Sequence, residues 1–316
     1  MSVAVVIVTY RSEKWIKTCL DSVITQGMVS SIWVVDNASD DDTVAIVRDN
    51  YPDVHVIAND DNKGFAAANN QALSVIEEKF ILLLNPDAFL EACAVKYMVQ
   101  GFDDNHVGIV APRIIRDEMI EESICGRPSA WASCLFMFTG MRNFKMGGFS
   151  GKPISGYPWD DGVRGEHVRG SCLMVAKGAV EDAGLLDEVF FLYFEETEWC
   201  LRLRNHGWAI KLVPNAIAHH AGRASVKTES ALPSLEFIRG AIIFWQIYYS
   251  RWIAFILRMV LFSMAAAKYL VLRVLCRGQA KQGWLKDVMK LALNPFKLPI
   301  IYPKATRPAQ WDKNAN

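Results

Sequence analysis

Four short apolar runs separated by stretches of helical periodicity fill the chain from Val3 to Leu84, and that alternation narrows the possible folds more than any other feature. Val3 to Val8 is an unbroken, valine-rich run, the pattern of a strand buried on both faces. Ser12 to Gln26 carries Trp15, Ile16, Cys19, Leu20 and Val23 at helical spacing, with Ser12 placed to cap the helix. Ile32 to Val35, ending in Asp36, reads as a second buried strand and Asp42 to Asn50 as a helix. Val54 to Ala58 reads as a third strand, Gly64 to Glu77 as a helix, and Phe80 to Leu84 as a fourth strand. This alternation predicts an α/β fold, a Rossmann-like, mostly parallel sheet with helices on both faces. A ligand of such a sheet sits at the carboxyl ends of the strands. The polar residues after each strand therefore converge: Thr9 to Arg11, Asp36 to Ser39, Asn59 to Asn62, and Asn85 to Asp87.

The later chain changes character twice. Gly126 to Gly165 is rich in Gly, Pro, Trp and Ser and reads as a long functional loop. Regular structure is expected again from His167 to Val175, in a helix over Glu195 to His206 and in a strand over Ala209 to Val213. The net charge of zero hides a division: Phe237 onward holds 13 Lys/Arg against 2 Asp/Glu, while Met1 to Glu236 holds 21 against 32. An acidic front joined to a basic, apolar tail implies two parts, residues 1–228 as a catalytic domain and 229–316 as a helical extension. Trp252 to Leu275 is strongly apolar but interrupted by Arg258, Lys268 and Arg273, with Trp245, Tyr248, Tyr249 and Trp252 clustered before or at its start. That combination fits a helix lying in a membrane interface rather than crossing it, its cations reaching anionic headgroups. A buried helix pair is the competing account. Seven cysteines without metal-binding spacing point to a reducing compartment, with Cys19, Cys93, Cys172 and Cys200 read as small buried hydrophobes. The amino terminus reads as a strand and not as a signal peptide, and Asn37-Ala38-Ser39 as a chance glycosylation sequon.

Several constellations carry chemistry. Asp36-Asn37 sets an acceptor beside a donor, suited to a pyrimidine N–H, with Thr9, Tyr10 and Arg11 enclosing it; an Asx turn explains the same pair. Asn62-Lys63-Gly64 leads through small residues to Asn69, and small residues let a ligand approach the backbone. Asn85-Pro86-Asp87 ends a buried strand, so one carboxylate is delivered to the ligand edge, where Mg²⁺ or Mn²⁺ needs few protein oxygens because phosphates and water supply the rest. The competing account makes Asp87 an ordinary helix N-cap. Glu195, Glu196 and Glu198 open a helix behind Phe190 to Phe194, an apolar approach that raises carboxylate basicity toward that of a general base. The helix dipole alone also favours acids there. His219-His220 offers one metal or phosphate contact.

Together Thr9-Tyr10, Val34 to Ser39, Asn62 to Phe65, Leu84 to Asp87, Phe194-Glu195-Glu196 through Arg202, and His219-His220 resemble family 2 glycosyltransferases, closest to a bacterial rhamnosyltransferase-like branch. The resemblance covers roughly the first 225 residues. It implies a GT-A fold, an inverting mechanism and a nucleoside-diphosphate sugar donor, with rhamnose on thymidine diphosphate as the branch's pairing. By it Asp36 recognises the base, Asp87 and one of His219 and His220 hold the metal, and Glu196, beside Glu195, is the catalytic base. Thr9, Tyr10, Arg11, Asn37, Asn62, Gly64, Asn69 and Arg202 join the donor site. The expected partners are that donor, a glycan or polyprenyl-diphosphate-linked acceptor and an anionic membrane surface, and not a nucleic acid; the expected place is the cytoplasmic face of the bacterial inner membrane, peripherally. The chain departs from the family's Glu-Asp at Glu195-Glu196, and from its following Asp at Glu198. A longer stem there matters, because a misplacement of about 1 Å can cost about a hundredfold in rate. Two rival classes are a sugar nucleotidyltransferase, for which the turn after the first strand lacks a Gly-rich basic loop, and a non-catalytic nucleotide-sugar-binding membrane protein.

Overall fold

A computed structural model describes residues 2–116, 119–121, 124–125, 167–221, 232–275 and 279–296; the Gly126–Gly165 loop lies outside the described residues. Strand β1 (Val3–Thr9) is buried along its whole length, as its unbroken apolar run requires. It pairs in parallel with β2 (Val29–Asp36) and with β4 (Phe80–Leu84), and β3 (His55–Ala58) lies parallel outside β2. In register, Thr9 stands opposite Asp36, so both side chains reach the same edge.

Beyond β4 the sheet becomes mixed. Its further strands are β5 (Ala88–Leu90), β6 (Val107–Arg116), β7 (Met119–Glu121), β10 (Cys172–Ala176) and β11 (Ala209–His220), while β8 (Ile124–Cys125) and β9 (His167–Val168) form a separate ribbon. The order is β3-β2-β1-β4-β10-β6-β11-β5, with β7 beside β6. Strand β10 is antiparallel to both neighbours, and β5 is antiparallel to β11. The parallel half thus follows the expected alternation, and the second half is folded back on itself.

Alternate residues of β1 supply two cores. Val3, Val5 and Ile7 face α1 (Ile16–Ile24), α2 (Thr43–Asn50) and α4 (Ala94–Gln100). Ala4, Val6 and Val8 face α3 (Phe65–Leu73), α5 (Lys177–Ala183) and α6 (Glu195–Asn205). Ser12 does not cap α1 with its side chain. The helix starts at Ile16, and the Ser12 carbonyl receives the Trp15 and Ile16 N–H groups at 2.9 and 3.0 Å. Cys19, Cys172 and Cys200 are buried as read, whereas Cys93 is exposed in a left-handed position with φ of 63°.

A third core joins the carboxyl-terminal helices to the rest. Helices α7 (Leu232–Tyr248), α8 (Arg251–Val274) and α9 (Gln279–Leu293) enclose a cluster that also contains Val189, Phe190, Phe194 and Leu201. The tail shares this apolar core with the segment leading into α6. Arg258, read as an interruption of the apolar helix, turns inward: Nε donates to the Ala292 carbonyl at 2.7 Å and its other arm to Leu293, closing the end of α9.

Candidate active site

The ladder of the parallel strands runs on into the loops at their carboxyl ends. Asn37 N–H donates to the Thr9 carbonyl at 2.8 Å and Asn59 N–H to the Asp36 carbonyl at 2.9 Å. Asp36 is buried and accepts from Thr9 Oγ1 at 2.7 Å, Ser39 N–H at 2.8 Å and Ser39 Oγ at 2.6 Å. Three of its roughly four acceptor directions are therefore filled by protein. Arg11, at φ of 52°, donates its N–H to Ser39 Oγ at 2.8 Å and grips Asp40 through two bonds of 2.6 and 2.7 Å. This guanidinium holds the Asp40 carboxyl below its usual range. It also lies 5.3 Å from the Tyr10 ring centre, so Tyr10 and Arg11 form a half-open rim above Asp36.

Asn37 pins the neighbouring loops. Its Nδ2 donates to the Gly64 carbonyl at 3.0 Å, and its Oδ1 accepts from Asn59 Nδ2 at 3.2 Å and Lys63 N–H at 3.4 Å. This burial closes the sequon to glycosylation. Asn62 Oδ1 accepts the Gly64 N–H at 3.0 Å. Gly64 needs to be glycine twice over: its φ is +84°, and a Cβ would stand 2.5 Å from the Phe191 carbonyl oxygen. The close approach read there as room for a ligand is filled by the chain itself, since Phe65 N–H donates to that carbonyl at 2.8 Å.

Two further expectations need correction for similar reasons. Asn69 is buried, and its Nδ2 donates to the Phe65 carbonyl at 2.9 Å one turn back in α3, so its amide serves the helix. Arg202 is occupied by Glu198, at 3.0 Å from Nε and 2.9 Å from one terminal nitrogen, and by the carbonyls of Ala183 and Leu185. It clamps α6 to the preceding turn and has no guanidinium edge set toward the strand ends.

Asn85 to Ala88 form a tight turn, with Ala88 N–H donating to the Asn85 carbonyl at 3.0 Å and Pro86 at the second position, where its fixed φ fits. Asp87 is followed by β5 and not by a helix, which removes the N-cap account. Its side chain is buried, with Oδ1 3.4 Å from His220 Nε2. His219 and His220 lie within β11, opposite Phe89 and Ala88, and neighbouring strand residues face opposite ways. Only His220 thus joins Asp87. His219 instead meets Glu91 at 2.7 Å and stacks on Phe89, so of the two histidines left open it is the one turned from Asp87.

One carboxylate and one imidazole fit a hard divalent cation that takes its remaining ligands from phosphate and water. Among the described residues no three His, Cys, Asp or Glu side chains gather to make a closed cage. The donor set therefore matches Mg²⁺ or Mn²⁺ at a nucleotide site better than a structural zinc.

Glu195 and Glu196 are aimed by an unusual turn. Tyr193 and Phe194 both take left-handed φ, 71° and 75°, immediately before α6 begins at Glu195. Such residues cost about 1–3 kcal/mol each and persist where packing imposes them. Among the described residues, Glu195 Oε2 and Glu196 Oε2 are buried without a hydrogen-bond partner. Burial pushes the Glu195 carboxyl well up, and the charge of Glu196 adds to it. Burial also pushes Glu196 up, against the pull of N–H groups that include Gly170 and of the Arg169 charge.

The segment from Arg169 to Ser171, expected only as part of the regular stretch His167 to Val175, ties the pieces together. The Ser171 carbonyl receives the Asn85 N–H at 2.9 Å, while Gly170 lies against the Glu196 side chain. Its only sequence signal is Gly-Ser at the entrance to the apolar run Cys172 to Val175.

Residues 4–147 match the family model described as glycosyl transferase family 2. Over those residues the chain carries a family 2 glycosyltransferase domain. It is 29% identical over 231 residues to the dTDP-rhamnosyl transferase RfbF of Shigella flexneri, covering 70% of each chain. It is 28% identical over 205 residues to the low-salt glycan biosynthesis hexosyltransferase Agl10 of Haloferax volcanii, covering 64% of this chain and 61% of that one. The N-acetylglucosaminyl-diphospho-decaprenol L-rhamnosyltransferase of Mycobacterium tuberculosis is 25% identical over 218 residues, 62% of this chain and 68% of that relative. The match to the archaeal relative thus leaves more than a third of that protein's length uncovered. Among solved structures, GalNAc-T7 with UDP, GalNAc and Mn²⁺ superposes with a TM-score of 0.60 at 12% identity, covering 93% of this chain and 56% of that one. The mannosyltransferase PcManGT of Pyrobaculum calidifontis, with GDP-Man and Mn²⁺, gives 0.53 at 16% identity, covering 92% and 87%. These likenesses establish the GT-A fold of the family 2 enzyme.

Proposed function

We propose that this enzyme is an inverting, divalent-cation-dependent hexosyltransferase that moves a sugar from a nucleoside diphosphate to a lipid-linked glycan at a membrane surface. One observation carries the reading: the Arg169–Ser171 segment bonds on one side to the turn bearing Asp87 and lies on the other against Glu196. A carboxylate–imidazole pair and a buried basic carboxylate thus stand at one sheet edge. The donor nucleotide lies across the ends of β1 and β2, framed by Tyr10 and Arg11, with Asp36 and Asn37 holding the loops in shape and Asp36 keeping one acceptor direction for the base. Asp87 and His220 would hold Mg²⁺ or Mn²⁺, which neutralises charge on the departing diphosphate. Glu196 receives the proton of the acceptor hydroxyl as that oxygen attacks the anomeric carbon from the face opposite the leaving group. Its raised pKa suits that work.

Rhamnose on thymidine diphosphate is the donor favoured by the Shigella relative's name, and a polyprenyl-diphosphate-linked acceptor by the mycobacterial one. Helix α8 supports a membrane-associated enzyme, which we assign to the cytoplasmic face of the bacterial inner membrane. Ala254, Leu257, Leu261 and Ala265 form its buried stripe, while Trp252, Ile256, Leu270 and Val274 on its outer side are exposed. Among the described residues it is the one helix long and apolar enough to cross a membrane.

The test is a panel of nucleotide-sugars scored for turnover with Mn²⁺ and for metal-dependent thermal stabilisation. Glu196→Gln is expected to lower kcat by about a thousandfold or more, as loss of a general base does, while donor affinity stays within about threefold of wild type on the same grounds. Undiminished turnover in that variant removes Glu196 from the mechanism. Pyrophosphate release from a nucleoside triphosphate would instead mark a nucleotidyltransferase.

A further inference from the structure

The left-handed turn that aims the base is held by the carboxyl-terminal helices. Gly240 of α7 faces it directly: a Cβ there would stand 2.8 Å from the Tyr193 carbonyl oxygen and 3.0 Å from Phe194 Cδ2. The first contact is with backbone, which cannot swing aside. A glycine inside a helix costs about 1 kcal/mol relative to alanine, so the contact accounts for a residue that helix propensity disfavours. Aromatic rings surround the same point. Phe237 lies 5.6 Å from Tyr193 and 5.3 Å from Phe194, and Phe244 lies 5.5 Å from Phe194, centre to centre. One turn into α6, Glu198 meets the Tyr248 hydroxyl at 3.3 Å. Thus α7 covers both the turn and the start of the helix that the turn directs.

We infer that α7 is the positioning element of the catalytic base, with Gly240 as its fulcrum, so that the membrane-directed helices set the geometry of Glu196. This rests on the transferase reading above. Tyr193 and Phe194 keep their left-handed conformation because α7 leaves them no room to relax. Helix α8 packs on α7 through the same apolar cluster, which makes a continuous line of contact from α8 to Phe194 in the turn before the base. Two charged pairs flank the turn, Glu236 with Arg239 at 3.3 Å within α7 and Glu198 with Arg202 at 2.9 Å within α6, and Glu195 is the buried carboxyl beside Glu196 that belongs to neither. Arg169 and Gly170 face Glu196 from the strand side. The two charges of α7 near the turn are thus paired with each other, and α7 acts on the turn by packing.

The experiment uses the full-length enzyme, its best nucleotide-sugar and Mn²⁺. Gly240→Ala should lower kcat by about ten- to a hundredfold, the scale of a displacement near 1 Å. Donor KM should stay within about twofold, because ground-state binding is untouched. The displaced turn admits water to Glu196, so the acid limb of the kcat profile should move to lower pH. Phe237→Leu, which removes the ring against both left-handed residues at little change in volume, should do the same more weakly, and it serves if Gly240→Ala does not fold. A folded variant of either kind with unchanged kcat and an unmoved acid limb overturns the inference and leaves the transferase reading standing. A loss confined to donor KM overturns it too. Wild-type protein that turns over no nucleotide-sugar overturns the reading on which it rests.

Discussion

Glu195 is a carboxyl group 3% exposed, beside a second carboxyl, with one oxygen lacking a hydrogen-bond partner among the described residues. Desolvation and the neighbouring charge outweigh the backbone N–H that favours the charged form there, and the cost falls on stability. Burial raises the folded-state pKa well above the ordinary 4.5. As pH rises past that ordinary value, the unfolded chain releases its proton while the folded chain retains it. The folded state then binds more protons, so stability falls with rising pH until the folded pKa is passed. Glu195→Gln removes that slope. The variant should match wild type in urea midpoint near about pH 4 and exceed it near about pH 8, where an ionised buried carboxyl is most costly. Equal midpoints at both pH values would mean that Glu195 ionises in the folded protein as easily as in water. The residue thus costs stability at higher pH, whereas burial is what keeps Glu196 itself basic.

At the scale of elements, α3 shows how a short helix is fixed by one side chain. Asn70 Nδ2 donates to the Leu186 carbonyl and to Glu188 at 2.9 Å each, and Asn70 Oδ1 accepts the Leu186 N–H at 3.1 Å. Asn70→Ala strands a buried N–H and a carbonyl, at about 1–3 kcal/mol for each unsatisfied group. It should lower the thermal midpoint by several degrees, and a shift under about one degree would mean that water replaces the amide. Elements such as β1 and β4 are legible because their cause is local. The runs Val3 to Val8 and Phe80 to Leu84 announce buried strands by composition, and Asp87 was found because a strand delivers it. What escaped has non-local causes. Strand β5 has three residues and exists because β11 offers it an edge. The length of β11, which splits His219 from His220, depends on pairing with β6. The resemblance puts Arg202 in the donor site, and sequence gives no sign against it, because neither Ala183 nor Leu185 marks itself as a carbonyl awaiting a partner.

Over the whole molecule, the charge division does not mark a structural division. Val189, Phe190, Phe194 and Leu201 belong to the same apolar cluster as the tail helices. Burying four large apolar side chains at about 1.5–3 kcal/mol each is comparable with a whole domain's stability of about 5–15 kcal/mol. The tail shares a core with the catalytic residues, and among its described residues most of the exposed large apolar side chains lie on α8. That helix combines Trp252 at 78% exposure and Phe255 at 51% with exposed Arg251 and Arg273. At 24 residues the helix is about 36 Å long, enough to cross a hydrocarbon core of about 30 Å. Yet Arg258 is fastened to the end of α9 and the buried stripe is fastened to the protein, so crossing would strip away the third core. Lying flat keeps it. A flat helix binds through apolar area and charge together. Vesicles of phosphatidylglycerol should therefore bind the enzyme more tightly than phosphatidylcholine vesicles, and high salt should release it, as screening of about 3 Å at 1 M requires. Trp252→Ser with Phe255→Ser should weaken binding to the anionic vesicles by at least about tenfold, from the apolar area lost. If salt leaves vesicle binding untouched and only detergent extracts the protein, α8 crosses the bilayer and the third core opens to admit it.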